Sequence, residues 1–215
     1  MRVAKENLEK KALLDPTSKF WQRAEMQNLE LRPAPLALQP SQWIQGAFQG
    51  VKYGQISAAK LKALHNGKVV AVKVEWAVSE PAKTTEVPNQ FADACAAMLP
   101  FVRNASFITM GSEREWVNMW LWRADGFGPF SVTAAGLGTT QRIDDGILES
   151  QGVYQEGHWH LVFVRPLNPG KPRDHVPLKP GTSWQINLAL WHGADRERGG
   201  LKSIGTNWVK MNLES

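Results

Sequence analysis

The side chains able to do chemistry in this 215-residue chain are few and far apart. His158 and His160 stand two apart in "GHWH", so on a strand both rings would share one face and could chelate a metal ion. No third ligand follows at a metal-site spacing, and an H-x-H pair on a solvated face is the plainer reading. Asp93 sits in the apolar run "FADACAAMLP". A buried carboxylate there needs hydrogen-bond partners, and without a second carboxylate nearby a structural role is favoured over a catalytic one. Cys95, in the same run, is the single cysteine; it excludes an internal disulfide and any zinc or iron–sulfur site built from this chain's thiolates. There is no nucleophile elbow, phosphate loop, dinucleotide fingerprint or H-E-x-x-H. Two further residues stand out by position. Met110 lies at the turn of "SFITMGSEREWVNMWLWRAD", and Lys202 follows Gly-Gly-Leu in "GGLKSIG". On periodicity alone the first is core filler and the second an exposed lysine.

The elements that must position these residues read as strands. "LKALHNGKVVAVKVEW" alternates about Asn66-Gly67, a dipeptide that favours a type I′ turn, with Val70, Val72, Val74 and Trp76 on one face. "YQEGHWHLVFVRPL" is a second hairpin turning near Glu156-Gly157. "SWQINLALWHG" puts Trp184, Ile186, Leu188 and Leu190 on one side. "SFITMGSEREWVNMWLWRAD" reads as strand, turn, strand, its second half apolar on both faces as a central strand between packed layers would be. "FADACAAMLP" fits either a helix, by its alanines, or a strand. Residues 1–24 form an arm or a short helix. The Pro- and Gly-dense loop from Arg165 to Gly181 is long enough to be a functional surface. Many short strands and no composition break predict one domain over residues 1–215, all-β with minor helix, arranged as an antiparallel β-sandwich or barrel.

Composition narrows the function classes. Hydrophobic residues are 43% and charged residues 21%, normal for a chain with a real core. The net charge of +5 is spread out with no block of five like charges, so a nucleic-acid partner is weakly supported. The opening segment lacks the apolar region of a signal peptide, and no apolar run is long enough to span a membrane. Ten tryptophans admit two uses beyond core packing: stacking on sugar rings, as in a carbohydrate-binding module without cofactor, or walling a cavity around a large flat ligand.

Taken in chain order, "KALHNGKVVAVKVEWA", "FADACAAMLP", "TMGSEREWVNMWLWRAD", "GHWHLVFVRPL" and "LALWHGADRERGGLKSIG" resemble the γ subunits of type II DMSO-reductase-like molybdenum enzymes, above all that of ethylbenzene dehydrogenase. The resemblance covers most of the chain from about residue 50 onward. It implies a β-sandwich enclosing one haem b between its sheets, with a methionine and a lysine as axial iron ligands; the "TMG" methionine maps to Met110 and the lysine of "GLKS" to Lys202. It implies a heterotrimer with an iron–sulfur β subunit and a molybdopterin α subunit. Electrons would pass from the clusters to this haem and on to an external acceptor such as a cytochrome c. The chain by itself would be non-catalytic. The catalytic subunit would oxidise a hydrocarbon or steroid side chain, and the complex would reach the periplasm by co-export with a partner, a cytoplasmic complex being the alternative. His192, in "LWHG", stands where relatives often have a small or acidic polar residue, and a histidine near the site would compete for iron.

Overall fold

The computed structural model describes residues 1–39, 41–84 and 89–215. In chain order its elements are β1 (Arg2–Lys5), α1 (Lys10–Leu14), β2 (Met26–Pro33), α2 (Gln42–Ala47), β3 (Ala58–His65), β4 (Val69–Ala77), β5 (Ala94–Pro100), β6 (Val117–Arg123), β7 (Phe130–Ala134), β8 (Gln141–Ile143), β9 (Glu149–Gln155), β10 (His158–Pro166), β11 (Ser183–Trp191), β12 (Ser203–Gly205) and β13 (Val209–Leu213), with short 3₁₀ turns between some of them. The strands join in one continuous ladder, β8-β7-β6-β5-β11-β12-β2-β3-β4-β10-β9. The ladder folds on itself, so its two halves face each other. Most pairs are antiparallel; β1 is the exception, running parallel to both β13 and β3. This is the all-β sandwich with minor helix that the alternating pattern predicts.

Alternation decides what fills the interior. Val70, Val72, Val74 and Trp76 of β4 and Leu161 and Phe163 of β10 face Cys95, Ala97 and Leu99 of β5, Trp120 and Trp122 of β6 and Leu188 and Leu190 of β11 in one buried core. Trp76, Trp122 and Trp159 pack on one another with centroids 4.9–6.2 Å apart, and Trp120 meets Phe163 edge-on at 6.1 Å. The space between the sheets is therefore taken by side chains. The outer face of the β3–β4–β10 half is covered by the N-terminal segment: Leu13 of α1 and Trp21 pack on Leu64, Ala71, Val162 and Val164. "FADACAAMLP" resolves to strand β5, hydrogen-bonded on both sides by β6 and β11.

Two local readings change. The 66–68 loop does make a hairpin, but it is three residues long. Gly67 has φ +83°, whereas Asn66 is not among the described residues with positive φ. The Asn66 Oδ1 accepts from the Lys68 and Val69 amides at 3.0 and 2.9 Å, so the side chain closes the turn that a type I′ backbone would otherwise close. The stretch ahead of Met110 is not a strand. Residues 107–110 run as successive turns, with the Gly111 amide donating to the Ser106 carbonyl at 2.7 Å. Ser106 and Thr109 cause this: the Thr109 amide donates to the Ser106 Oγ at 3.3 Å and the Thr109 hydroxyl to the Gly111 carbonyl at 2.9 Å, local bonds that compete with a ladder. The Glu156-Gly157 turn, by contrast, has positive φ at both residues, as a type I′ hairpin requires.

Asp93 has the structural role expected of it. It is fully buried, and its carboxylate accepts from the Trp159 indole N–H at 2.8 Å, the Gly193 amide at 2.8 Å and the Ala82 amide at 3.0 Å. It thus ties both sheets to the loop after β11. Asp93→Ala should leave two buried donors, the Trp159 indole and the Gly193 amide, and the half-buried Ala82 amide unpaired and cost about 3 kcal/mol, read as a lower urea midpoint at unchanged slope. A loss no larger than that of an ordinary surface substitution would show that this carboxylate is not an anchor.

Candidate functional site

The register of the β8-β7-β6-β5-β11-β12 half builds a second surface, on the side away from the core. Successive pairs put Phe130, Leu121, Ala96, Ala189 and Ile204 in one row across the strands, and Arg142, Val132, Met119 and Met98 in the next. Directly paired residues project to the same face. Two alanines in the first row leave a depression where the core face carries leucine and tryptophan. Loops cover it, and a cavity of about 400 Å³ remains, walled mostly by apolar side chains that include Ala96, Met119, Leu121, Val132 and Trp191. That is within the range of small-molecule and cofactor sites. Met110 and Lys202, ninety-two residues apart in sequence, both line it.

Lys202 is placed by the start of β12, immediately before Ser203. The pairing of Ala189 with Ile204 and Leu190 with Ser203 carries on to set Lys202 beside Trp191, and the Ala34 amide holds the Lys202 carbonyl at 2.8 Å. The Nζ lies 5.0 Å from the Trp191 ring centre. No carboxylate occurs among the described residues lining the cavity. Burial acts alone on the amine and pushes its pKa down to about 8. The loop leading to it is pinned by Glu197, whose buried carboxylate accepts from the Gly54 and His192 amides; burial nevertheless holds its pKa above the ordinary value. Trp191 closes the same loop by donating its indole N–H to the Gly199 carbonyl at 3.0 Å.

Met110 is placed by the turns above the sheet. Its φ is +57°, a left-handed conformation uncommon for a non-glycine residue, and its carbonyl accepts from the Gly136 amide at 3.0 Å. Gly111 follows at φ +85°, where a Cβ would stand 2.2 Å from the Glu115 carbonyl oxygen, so only glycine fits. A thioether is thus held over the cavity by backbone constraints on both sides.

The sheet and the loops sort the remaining candidates. His160 faces Glu75 at 3.4 Å, His158 contacts its own turn carbonyl, and no group of three His, Cys, Asp or Glu able to hold a metal occurs among the described residues. Cys95 is buried in the core, and burial raises its thiol pKa far above the usual range. His192 does not line the cavity; its Nδ1 pairs with Asp195 at 2.9 Å. The expectation that the tryptophans wall a ligand is corrected, because Trp191 is the one tryptophan among the cavity's described lining residues. So is the expectation of a site between the sheets: Met110 and Lys202 meet on the outer face of one half, because the interior is already filled. The Arg165–Gly181 loop is tied inward by the buried Arg165 guanidinium, which donates to the Pro166 and Val176 carbonyls. Gln39, Arg142 and the Gly199–Gly200 turn also line the cavity and were not singled out from sequence. For Arg142 the signal was its pairing with an apolar strand, invisible until the register is known.

Fold and site define a class: a β-sandwich carrying a cofactor-sized apolar cavity on one outer face, with a thioether and a desolvated amine on its walls. Residues 18–147 and 139–203 match the family model described as ethylbenzene dehydrogenase, and the chain belongs to that family. It is 28% identical over 190 residues to the protein named "Putative respiratory nitrate reductase heme subunit ORF7" of Haloferax mediterranei, covering 88% of this chain and 64% of that one. It is 30% identical over 143 residues to the chlorate reductase subunit gamma of Ideonella dechloratans, covering 66% and 59%, and 29% identical over 145 residues to the dimethylsulfide dehydrogenase subunit gamma of Rhodovulum sulfidophilum, covering 64% and 54%. The match thus spans less than two thirds of each relative's length. Among solved structures, a family 9 carbohydrate-binding module from Caldicellulosiruptor kristjanssonii in complex with glucose superposes with a TM-score of 0.56 at 13% identity, covering 100% of this chain and 96% of that one, a likeness of fold alone.

The lowered Lys202 pKa has a thermodynamic signature. Below about 8 the amine is charged in both folded and unfolded chains and the burial penalty is fully present. Between about 8 and its ordinary 10.5 the unfolded chain binds more protons, so stability rises with pH. In the cofactor-free protein, Lys202→Met should therefore be more stable than wild type at pH 7 by about 2–3 kcal/mol, and the gap should close by pH 11. Denaturation curves across that range check it; a gap that stays constant with pH would mean the amine is solvated.

Proposed function

We propose that this chain is a haem b electron-transfer subunit of a heterotrimeric molybdenum oxidoreductase, with Met110 and Lys202 as the axial iron ligands. The observation that carries this reading is the convergence of those two side chains on one apolar cavity, where no carboxylate stands beside the Lys202 amine among the described lining residues. The residues present fit the group. A thioether is a soft donor suited to ferrous iron, and a lysine ligates only when neutral, which desolvation favours. The cavity is apolar where a macrocycle would lie, and alanines at positions 96 and 189 make the room.

When bound with both axial positions taken, such a haem supplies one-electron transfer and offers no open site for oxygen or substrate. The chain's own part is to hold and insulate. The Ser106–Gly111 turns present Met110, the Glu197-pinned loop presents Lys202, and the Trp191 ring flanks the amine at 5.0 Å. Family membership and the gamma-subunit names of the relatives support partners of the same kind: an iron–sulfur β subunit delivering electrons, a molybdopterin α subunit holding the substrate, and an external acceptor such as a cytochrome c. By the same resemblance the substrate is a hydrocarbon or steroid side chain, and the complex is periplasmic through co-export with a partner. No helix among the described residues is long and apolar enough to cross a membrane.

The purified chain or its complex should show a Soret band with a six-coordinate low-spin pattern. Met110→Ala and Lys202→Ala should each convert it to a high-spin or ligand-replaced spectrum with weaker haem retention. Two variants that both keep the wild-type spectrum would remove these residues as ligands, and a folded protein unable to take up haem would sink the reading as a whole. The carbohydrate-module alternative expects a row of exposed tryptophans. Only Trp43 and Trp116 are exposed among the described residues, one on α2 and the other just before β6.

A further inference from the structure

Among the described lining residues, Lys202 is one of two cations on the cavity wall; the other is Arg142. Its position follows from the sheet. Arg142 of β8 is paired with Val132 of β7, a cavity residue, so its side chain rises from the same face. Phe130 stands two residues before Val132 and also lines the cavity. The guanidinium carbon lies 4.2 Å from the Phe130 ring centre and 4.8 Å from that of Phe127, and the Nε–H donates to the Asp144 carboxylate. Two aromatic rings and one carboxylate therefore fix the plane of the fork. Its two Nη groups make no hydrogen bond among the described residues. Arg142 remains substantially exposed, so it sits where the apolar cavity meets solvent.

A cation fixed at the mouth of an apolar cavity, with its paired N–H donors free, is suited to a carboxylate. This deepens the haem reading and rests on it. Haem b is an apolar disc with two carboxylates on one edge, and such a group should enter with that edge toward the charged rim. We propose that Arg142 binds a propionate carboxylate of the haem, and so sets which edge of the macrocycle faces solvent. Lys202 cannot take this role while it serves as an iron ligand, because ligation requires its neutral form. Asp144, which accepts from the Arg142 Nε–H, competes with the propionate for the same guanidinium.

The test compares two probes on the haem-free full chain: iron protoporphyrin IX and its dimethyl ester, the same macrocycle with both carboxylates capped. Wild type should bind the acid form about two- to fivefold more tightly than the diester, the size of a well-placed exposed ion pair. Arg142→Gln should lose that preference by weakening for the acid form alone, with Soret position and low-spin pattern unchanged. Arg142→Lys should keep part of it. Asp144→Asn should bind the acid form at least as tightly as wild type, because the competing carboxylate is gone. An Arg142→Gln chain that still prefers the acid form overturns the proposal. So does an Asp144→Asn chain that loses acid-form affinity, since Arg142 would then serve only to hold β8; this second variant decides the matter if Arg142→Gln fails to fold. A wild-type chain that binds both probes equally overturns the propionate contact and leaves the haem reading intact. One that binds neither overturns both.

Discussion

Setting the Lys202 amine beside Trp191, in a cavity whose described walls hold no carboxylate, opposes its own protonation. Other parts of the structure exist in relation to that constraint. β12 has to start where it does, the Glu197 carboxylate has to hold the loop by its amides, and the alanines of β5 and β11 have to leave space. A surface lysine needs none of this. The folded chain accepts an unfavourable charge at neutral pH, and a metal that takes the amine lone pair would turn the penalty into binding free energy. Met110 follows the same logic in weaker form: its left-handed backbone is held by the Gly111 turn and the Gly136 amide. Strain of this kind persists where the surrounding structure over-determines it.

The two faces of the β8–β12 half divide the work. The inner face carries the large side chains, Trp120, Trp122, Leu188 and Leu190, and supplies stability by burial. The outer face carries alanine, methionine and medium aliphatics, and supplies room. A sheet can do both because successive residues point to opposite sides, so residue size can be chosen separately for each side. Five of the ten tryptophans, Trp76, Trp120, Trp122, Trp159 and Trp184, belong to the core between the sheets, and only Trp191 lines the cavity among its described residues. The likeness to a carbohydrate-binding module is one of fold alone, and chemistry depends on a few side chains and not on topology.

Much of the fold was legible from alternation. β4 and β11 have period-two apolar runs, and their core faces are the ones the pattern assigns. β6, apolar on both sides, does lie between two packed layers. The pattern failed where short polar side chains intervene. Ser106 and Thr109 turn a strand-like apolar segment into a loop over the sheet, and the Asn66 carboxamide lengthens a hairpin turn. β5 was ambiguous between helix and strand because alanine suits a helix by propensity, while here its small size serves a cavity. Tertiary context overrides propensity in such cases.

What the sequence determined by itself is the sandwich, its two clear hairpins, the inward rows and, through shared motifs in order, the family and the two residues of interest. These follow from local periodicity and from segments read whole. The tertiary structure alone decided that Met110 and Lys202 share one cavity, that it lies outside the core, and that Arg142 stands at its rim. Those facts depend on register between strands distant in the chain. Register is set by the simultaneous packing of both faces, a cooperative condition that no single segment carries.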